Sequence, residues 1–119
     1  MGIKLKRVYE PPADEDGFRV LVERLWPRGV SKDRARVDLW IKDAGASPEL
    51  RSWFGHDSGK WEEFRQKYFD EIRQRPMVVD LLRKTIKEKE TVTFVFAARD
   101  EYHNNAVALK EFLESEEIG

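Results

Sequence analysis

The sequence predicts an α/β fold: a single compact layered domain over residues 1–119, with a mixed, mostly parallel sheet flanked by helices. Three observations lead there. The run Thr91 to Ala98 is unbroken, β-branched and apolar, the pattern of a strand covered on both faces. Between it and the strand-like start of the chain lie segments whose apolar residues recur at helical spacing, so strands and helices succeed one another. A chain of 119 residues is long enough for one core and too short for two.

Each element has its own signal. Ile3, Leu5, Arg7 and Tyr9 alternate with Lys4, Lys6 and Val8, which predicts a half-exposed first strand. The turn from Pro11 to Gly17 breaks that period, and Phe18, Val20 and Val22 begin a second strand running towards Leu25. Trp26-Pro27-Arg28-Gly29 ends it in a rigid corner, because Pro27 restricts Trp26 to extended backbone and Gly29 permits a tight bend. Ser31 caps a short helical turn, and Val37, Leu39 and Ile41 then alternate with Asp38, Trp40 and Lys42 in the pattern of a further strand. Ser47-Pro48-Glu49 combines a capping serine, a first-turn proline and an acid, with Gly55 as the stop. Asp57 or Ser58 opens a second helix, with Trp61, Phe64, Tyr68 and Ile72 on one face. Pro76 opens a third, with Val78, Val79, Leu82 and Ile86 as its buried stripe. A final helix over roughly residues 103–114 packs through Ala106, Leu109 and Leu113.

Composition excludes several classes. Lys and Arg total 22 and Asp and Glu 23, so the net charge of −1 gives no global attraction to nucleic acid or to an anionic membrane. No apolar run approaches the ~20 residues of a membrane span. Without cysteine there is no disulfide, thiolate nucleophile or zinc knuckle, and the start Met1-Gly2-Ile3-Lys4 lacks signal-peptide character, so a cytoplasmic protein without membrane contact is expected. Charged residues form 38% of the chain against roughly 25% in ordinary domains, and uncharged amides are scarce, a composition expected of a heat-adapted protein.

Three segments are candidates for chemistry. The first, residues 97–105, leaves the carboxyl end of the central strand and enters a helix. Such ends bind ligands in open α/β sheets, where unpaired backbone donors meet the positive end of a helix. Arg99 adds a forked donor for phosphate or carboxylate, His103 a titratable ring, and Asp100, Asn104 and Asn105 directional polar groups. These two asparagines are the only ones in the chain. The same residues also suit a simple helix cap with a surface histidine. The second, residues 24–29, sets Arg24, Trp26 and Arg28 on one stiff turn, which either grips an anionic, stackable ligand or packs a corner through Trp26. The third places His56 between Gly55 and Asp57, as an acid or base or as a helix-boundary residue. Two histidines 47 positions apart without cysteine give no metal-ligand spacing, so no metal is expected. No phosphate loop, dinucleotide glycine pattern or nucleophile elbow occurs, and no cofactor is expected.

The run from Arg19 to Lys32 with Glu23-Arg24-Leu25-Trp26-Pro27-Arg28-Gly29 at its centre, then Trp53-Phe54-Gly55-His56-Asp57 with Trp61, and lastly Ala97-Ala98-Arg99-Asp100-Glu101 with His103-Asn104-Asn105-Ala106-Val107 resemble the YeaO-like family, a domain of unknown function numbered 488. The resemblance covers nearly the whole chain. It implies an α/β domain of small bacterial and archaeal cytosolic proteins and brings no reaction with it. Longer relatives carry cysteines around the segment corresponding to 97–105, whereas this chain has none, so covalent thiol catalysis is closed to it.

The sequence therefore points to a site for a small anionic or phosphorylated metabolite. Arg99, Asp100, Asn104 and Asn105 would form one wall and Arg24, Trp26 and Arg28 another, with His103 or His56 handling protons if a reaction occurs. The alternative is a non-catalytic module binding nucleic acid through the Arg24 to Arg36 basic face, or a protein through exposed tryptophans. Salt separates them, since many phosphate contacts make affinity fall steeply with ionic strength.

Overall fold

A computed structural model describes residues 2–116. Four strands, β1 (Ile3–Arg7), β2 (Phe18–Leu21), β3 (Leu39–Trp40) and β4 (Val92–Phe96), form one sheet in the order β1-β4-β2-β3. Each pairing is parallel, with Ile3 beside Val92, Phe18 beside Val92 and Val20 beside Leu39. The helices are α1 (Lys32–Ala35), α2 (Pro48–Phe54), α3 (Trp61–Arg73), α4 (Pro76–Glu88) and α5 (Asn105–Glu116). No helix among the described residues is long and apolar enough to cross a membrane.

All five residues of β4 are buried, as its unbroken pattern requires of a strand flanked on both edges and covered on both faces. Val92, Phe94 and Phe96 face the main core with Val20 of β2 and Val22 just beyond its end. Helices α2 to α5 cover this side through Leu50, Phe54, Phe64, Tyr68, Leu82, Leu109 and Leu113. The expected stripe of α3 is present: Phe64, Tyr68 and Ile72 are buried and Trp61 packs against them in part. On the opposite face Val95 joins Leu21, Val8 and Ala35, roofed by α1 and by Trp26 and Trp40.

That second face also holds a buried ion cluster. Arg19, only 3% exposed, donates to Asp16 at 2.6 Å and twice to the Ala35 carbonyl. Lys6 completes the pair on Asp16 from β1. Burial alone raises the Asp16 pKa, but the Ala13 N–H, Lys6 and Arg19 outweigh it and hold the carboxyl below its usual range.

The caps match their residues. Ser31 and Ser47 accept from the third N–H of their helices, Pro48 opens α2, and Gly55 closes it in the left-handed region. Asp57 caps a short 3-10 turn, residues 58–60, that leads into α3. All four strands are shorter than their sequence patterns, β4 keeping Val92–Phe96 of the Thr91 to Ala98 run. β2 stops at Leu21 because the Val22 carbonyl is taken by the side chain of Asn105 instead of a neighbouring strand. β1 ends at Arg7, whose guanidinium bonds the Ala97 and Ala98 carbonyls, and β3 is an edge of two residues.

Candidate functional site

In a parallel sheet every strand delivers its carboxyl end to the same side of the domain. The segments following β1, β2 and β4 therefore meet, and with the start of α2 they enclose a cleft of about 980 Å³. All three segments singled out from the sequence line it: residues 24–28, His56, and residues 97–100 with 103–105.

Their roles differ. Asn105 spends its whole amide inside the protein: its oxygen accepts from the Ala46 N–H, and its nitrogen donates to the carbonyls of Val22 at 3.0 Å and Ala44 at 3.4 Å. It ties the start of α5 to the end of β2 and to the loop before α2. Asn104 is buried, caps α5 by accepting from the Val107 N–H, and donates to the Asp100 carbonyl. Both asparagines shape the cleft with amides already engaged by the fold.

Arg24 is also engaged. Its Nε donates to the carbonyls of Gly45 and Ala46, and its fork reaches Asp43 at 3.5 Å. Gly45 has no room for a side chain there, since a Cβ would lie 2.6 Å from the Arg24 backbone nitrogen. The Trp26 indole N–H donates to the Val30 carbonyl at 2.6 Å, and its ring stands edge-on to Trp40 at 5.4 Å, so this tryptophan secures the corner. The Tyr9 hydroxyl ties the same corner to β1 by donating to the Arg28 carbonyl.

The side chains of Arg28 and Arg99 are exposed and form no hydrogen bond or ion pair with any described residue. The Ala98 and Arg99 backbone N–H groups likewise have no partner among the described residues. His103 sits over the edge of Trp61, ring centroids 5.2 Å apart, with Nδ1 2.8 Å from an Asp100 carboxylate oxygen. That contact, with the Tyr102 and His103 N–H groups, holds Asp100 below the ordinary carboxylate range. Ionised Asp100 can only accept, so the shared proton stays on Nδ1 and Nε2 is the ring's remaining functional atom. His56 is exposed, with φ of 60°, a left-handed backbone uncommon outside glycine.

Two cleft residues escaped sequence reasoning. Glu23 accepts the Ala97 N–H at 2.7 Å, bridging the ends of β2 and β4. Burial raises its pKa, offset in part by that N–H and by the charge of Arg51. Arg51 is exposed on α2, and its guanidinium makes no hydrogen bond or ion pair with a described residue. The signal for Glu23 was its place, an acid directly after the apolar Val20-Leu21-Val22 run; Arg51 carried none.

The whole of residues 2–118 matches one family, described as the inactive DUF488-N3 subclade. The chain belongs to this subclade. It is similar to the Uncharacterized protein Rv3073c of Mycobacterium tuberculosis (strain ATCC 25618 / H37Rv), with 37% identity over 111 residues covering 93% of this chain and 92% of that protein. It is also similar to the Uncharacterized protein YeaO of Escherichia coli (strain K12), with 36% identity over 115 residues, 97% of this chain and 99% of that one. The likeness to YeaO carried by the three sequence segments therefore extends across the DUF488 chain. No solved structure matches it.

Proposed function

We propose that the cleft binds a small anionic or phosphorylated metabolite and holds it without covalent catalysis. One observation carries this reading: four arginines, Arg24, Arg28, Arg51 and Arg99, line a single cleft against two carboxylates, Glu23 and Asp100, in a chain whose overall charge is −1. Arg24 is anchored to backbone carbonyls, while the other three keep their guanidinium donors for a ligand. Their forked N–H groups suit phosphate and carboxylate oxygens. The free Ala98 and Arg99 amides add donors at the same strand end. The cleft is far larger than one phosphate and is partly lined by Leu25, Pro27 and Phe54, which suits an anion with an organic body. The subclade's description as inactive and the absence of cysteine favour retention of a ligand over its turnover.

The test is a thermal-shift panel of phosphates, sulfonates and carboxylates, followed by calorimetric titration of any hit. A charge-assisted hydrogen bond is worth about 1.5–3 kcal/mol, so Arg99→Ala is expected to weaken binding roughly tenfold to hundredfold. Its melting temperature should stay close to wild type because the side chain has no described partner. The reading fails if no anion shifts the melt or if Arg99→Ala binds the hit as tightly as wild type. A salt dependence steep enough for many phosphate contacts would replace it with a nucleic-acid partner.

A further inference from the structure

Glu23 is held in the cleft in an unusual way. One carboxylate oxygen is fixed by the Ala97 N–H at 2.7 Å, which sets the plane and direction of the group. The other oxygen meets no donor from any described residue, and because no buried side-chain oxygen lacks a partner, solvent reaches it. No arginine approaches within ion-pair distance, although four line the same cleft. Arg24, next in sequence, turns its fork to Gly45, Ala46 and Asp43. Arg51 acts on Glu23 only through its charge at longer range. The fold thus retains an acid among arginines, aims one oxygen into the cleft and leaves it without an internal partner. An anion alone gains nothing from that oxygen, since the like charge repels it. A ligand bearing an N–H donor does gain, through a hydrogen bond to an acceptor already oriented on a half-buried side chain.

Building on the anion-binding reading, we propose that Glu23 determines specificity in this cleft. The ligand is an anion that also carries an N–H donor, its anionic group meeting the free arginines and its donor meeting the open Glu23 oxygen. The donor can be an ammonium group or the N–H edge of a planar heterocycle, and matched probes separate these. O-phosphoethanolamine is compared with ethyl phosphate, and guanosine 5′-monophosphate with purine riboside 5′-monophosphate, by calorimetry at pH 8 on the full chain. In at least one pair the donor-bearing probe is expected to bind wild type about tenfold more tightly, as a hydrogen bond to a charged group allows. Glu23→Gln keeps an oxygen for the Ala97 N–H and places an NH₂ where the open carboxylate oxygen stood, so the preference should vanish or reverse. Equal binding within both pairs by wild type overturns this inference and leaves the anion reading standing. A preference surviving in Glu23→Gln overturns it too, because the donor is then read elsewhere. If none of these four probes binds, this inference falls, while the anion reading is decided by the wider panel of phosphates, sulfonates and carboxylates.

Discussion

Replacing Asn105 with alanine should damage the fold more than truncating any other polar side chain at the cleft, because its amide connects three pieces of chain. The change strands the Ala46 N–H and the Val22 carbonyl, which have no other described partner, whereas the Ala44 carbonyl keeps its 2.6 Å bond from the Tyr68 hydroxyl. Val22 and Ala46 are almost fully buried, so water cannot readily replace the lost contacts. At about 1–3 kcal/mol for each of the two orphaned groups, the expected loss is roughly 2–6 kcal/mol. For a chain of this length that lowers the melting temperature by roughly 10–20 °C. Asn104→Ala removes one helix cap and one bond to the Asp100 carbonyl and should cost only about 1 kcal/mol. Denaturant melts of both variants decide the matter. A loss below about 1 kcal/mol for Asn105→Ala, or an equal loss for the two, would refute the assignment of Asn105 as the tie between α5 and β2.

Phe64 is 2% exposed and lies against Phe54, Trp61 and Tyr68, so Phe64→Ala should cost about 3–5 kcal/mol in denaturant melts, and a change within error would exclude it from the core. His56 holds a left-handed backbone, so His56→Gly should leave stability unchanged or raise it by up to about 1 kcal/mol, while His56→Val lowers it; the opposite ranking would remove the conformational argument. Burial lifts the Glu23 pKa above its ordinary 4.5, so the native state holds that proton more tightly and stability contributed by the neutral form is lost as pH rises from about 4.5 through the raised value. Melting curves from pH 4 to pH 8 should therefore show Glu23→Gln gaining on wild type with increasing pH, and a flat or falling difference would contradict the direction of the shift. Amide exchange at Val92 to Phe96 should be among the slowest in the protein, and rapid exchange there would be incompatible with a strand paired on both sides.

Local chemistry made most of the fold legible. Ser47-Pro48 and Gly55 marked α2 because a cap, a fixed φ and a left-handed stop are properties of single residues, and the periods of α3 and β4 marked their buried faces. Strand lengths were less legible, because the end of β2 is decided by Asn105, 83 residues downstream of the Val22 carbonyl it takes. For the same reason the candidate site was readable in pieces only. The polar residues near Arg99 stood out by type, but a sequence pattern does not distinguish an amide with free bonding groups from one already engaged with distant backbone. Trp26 and Arg24 show the same limit, since their partners Trp40, Gly45 and Ala46 lie outside the corner that drew attention to them.

The pairing of β4 with β1 and β2 also bears on how the molecule forms. Ile3 meets Val92 and Phe18 meets Val92, so the sheet closes only after long loops have been brought together, a topology associated with slow folding. The cleft needs the ends of all three strands and the Asn105 tie, and it is therefore complete only once that closure has happened. A ligand held there has little to bind in the folding transition state. It should lengthen the lifetime of the native chain by slowing unfolding while leaving the refolding rate as it was, so that occupancy is recorded in how long the protein persists and not in how quickly it is made.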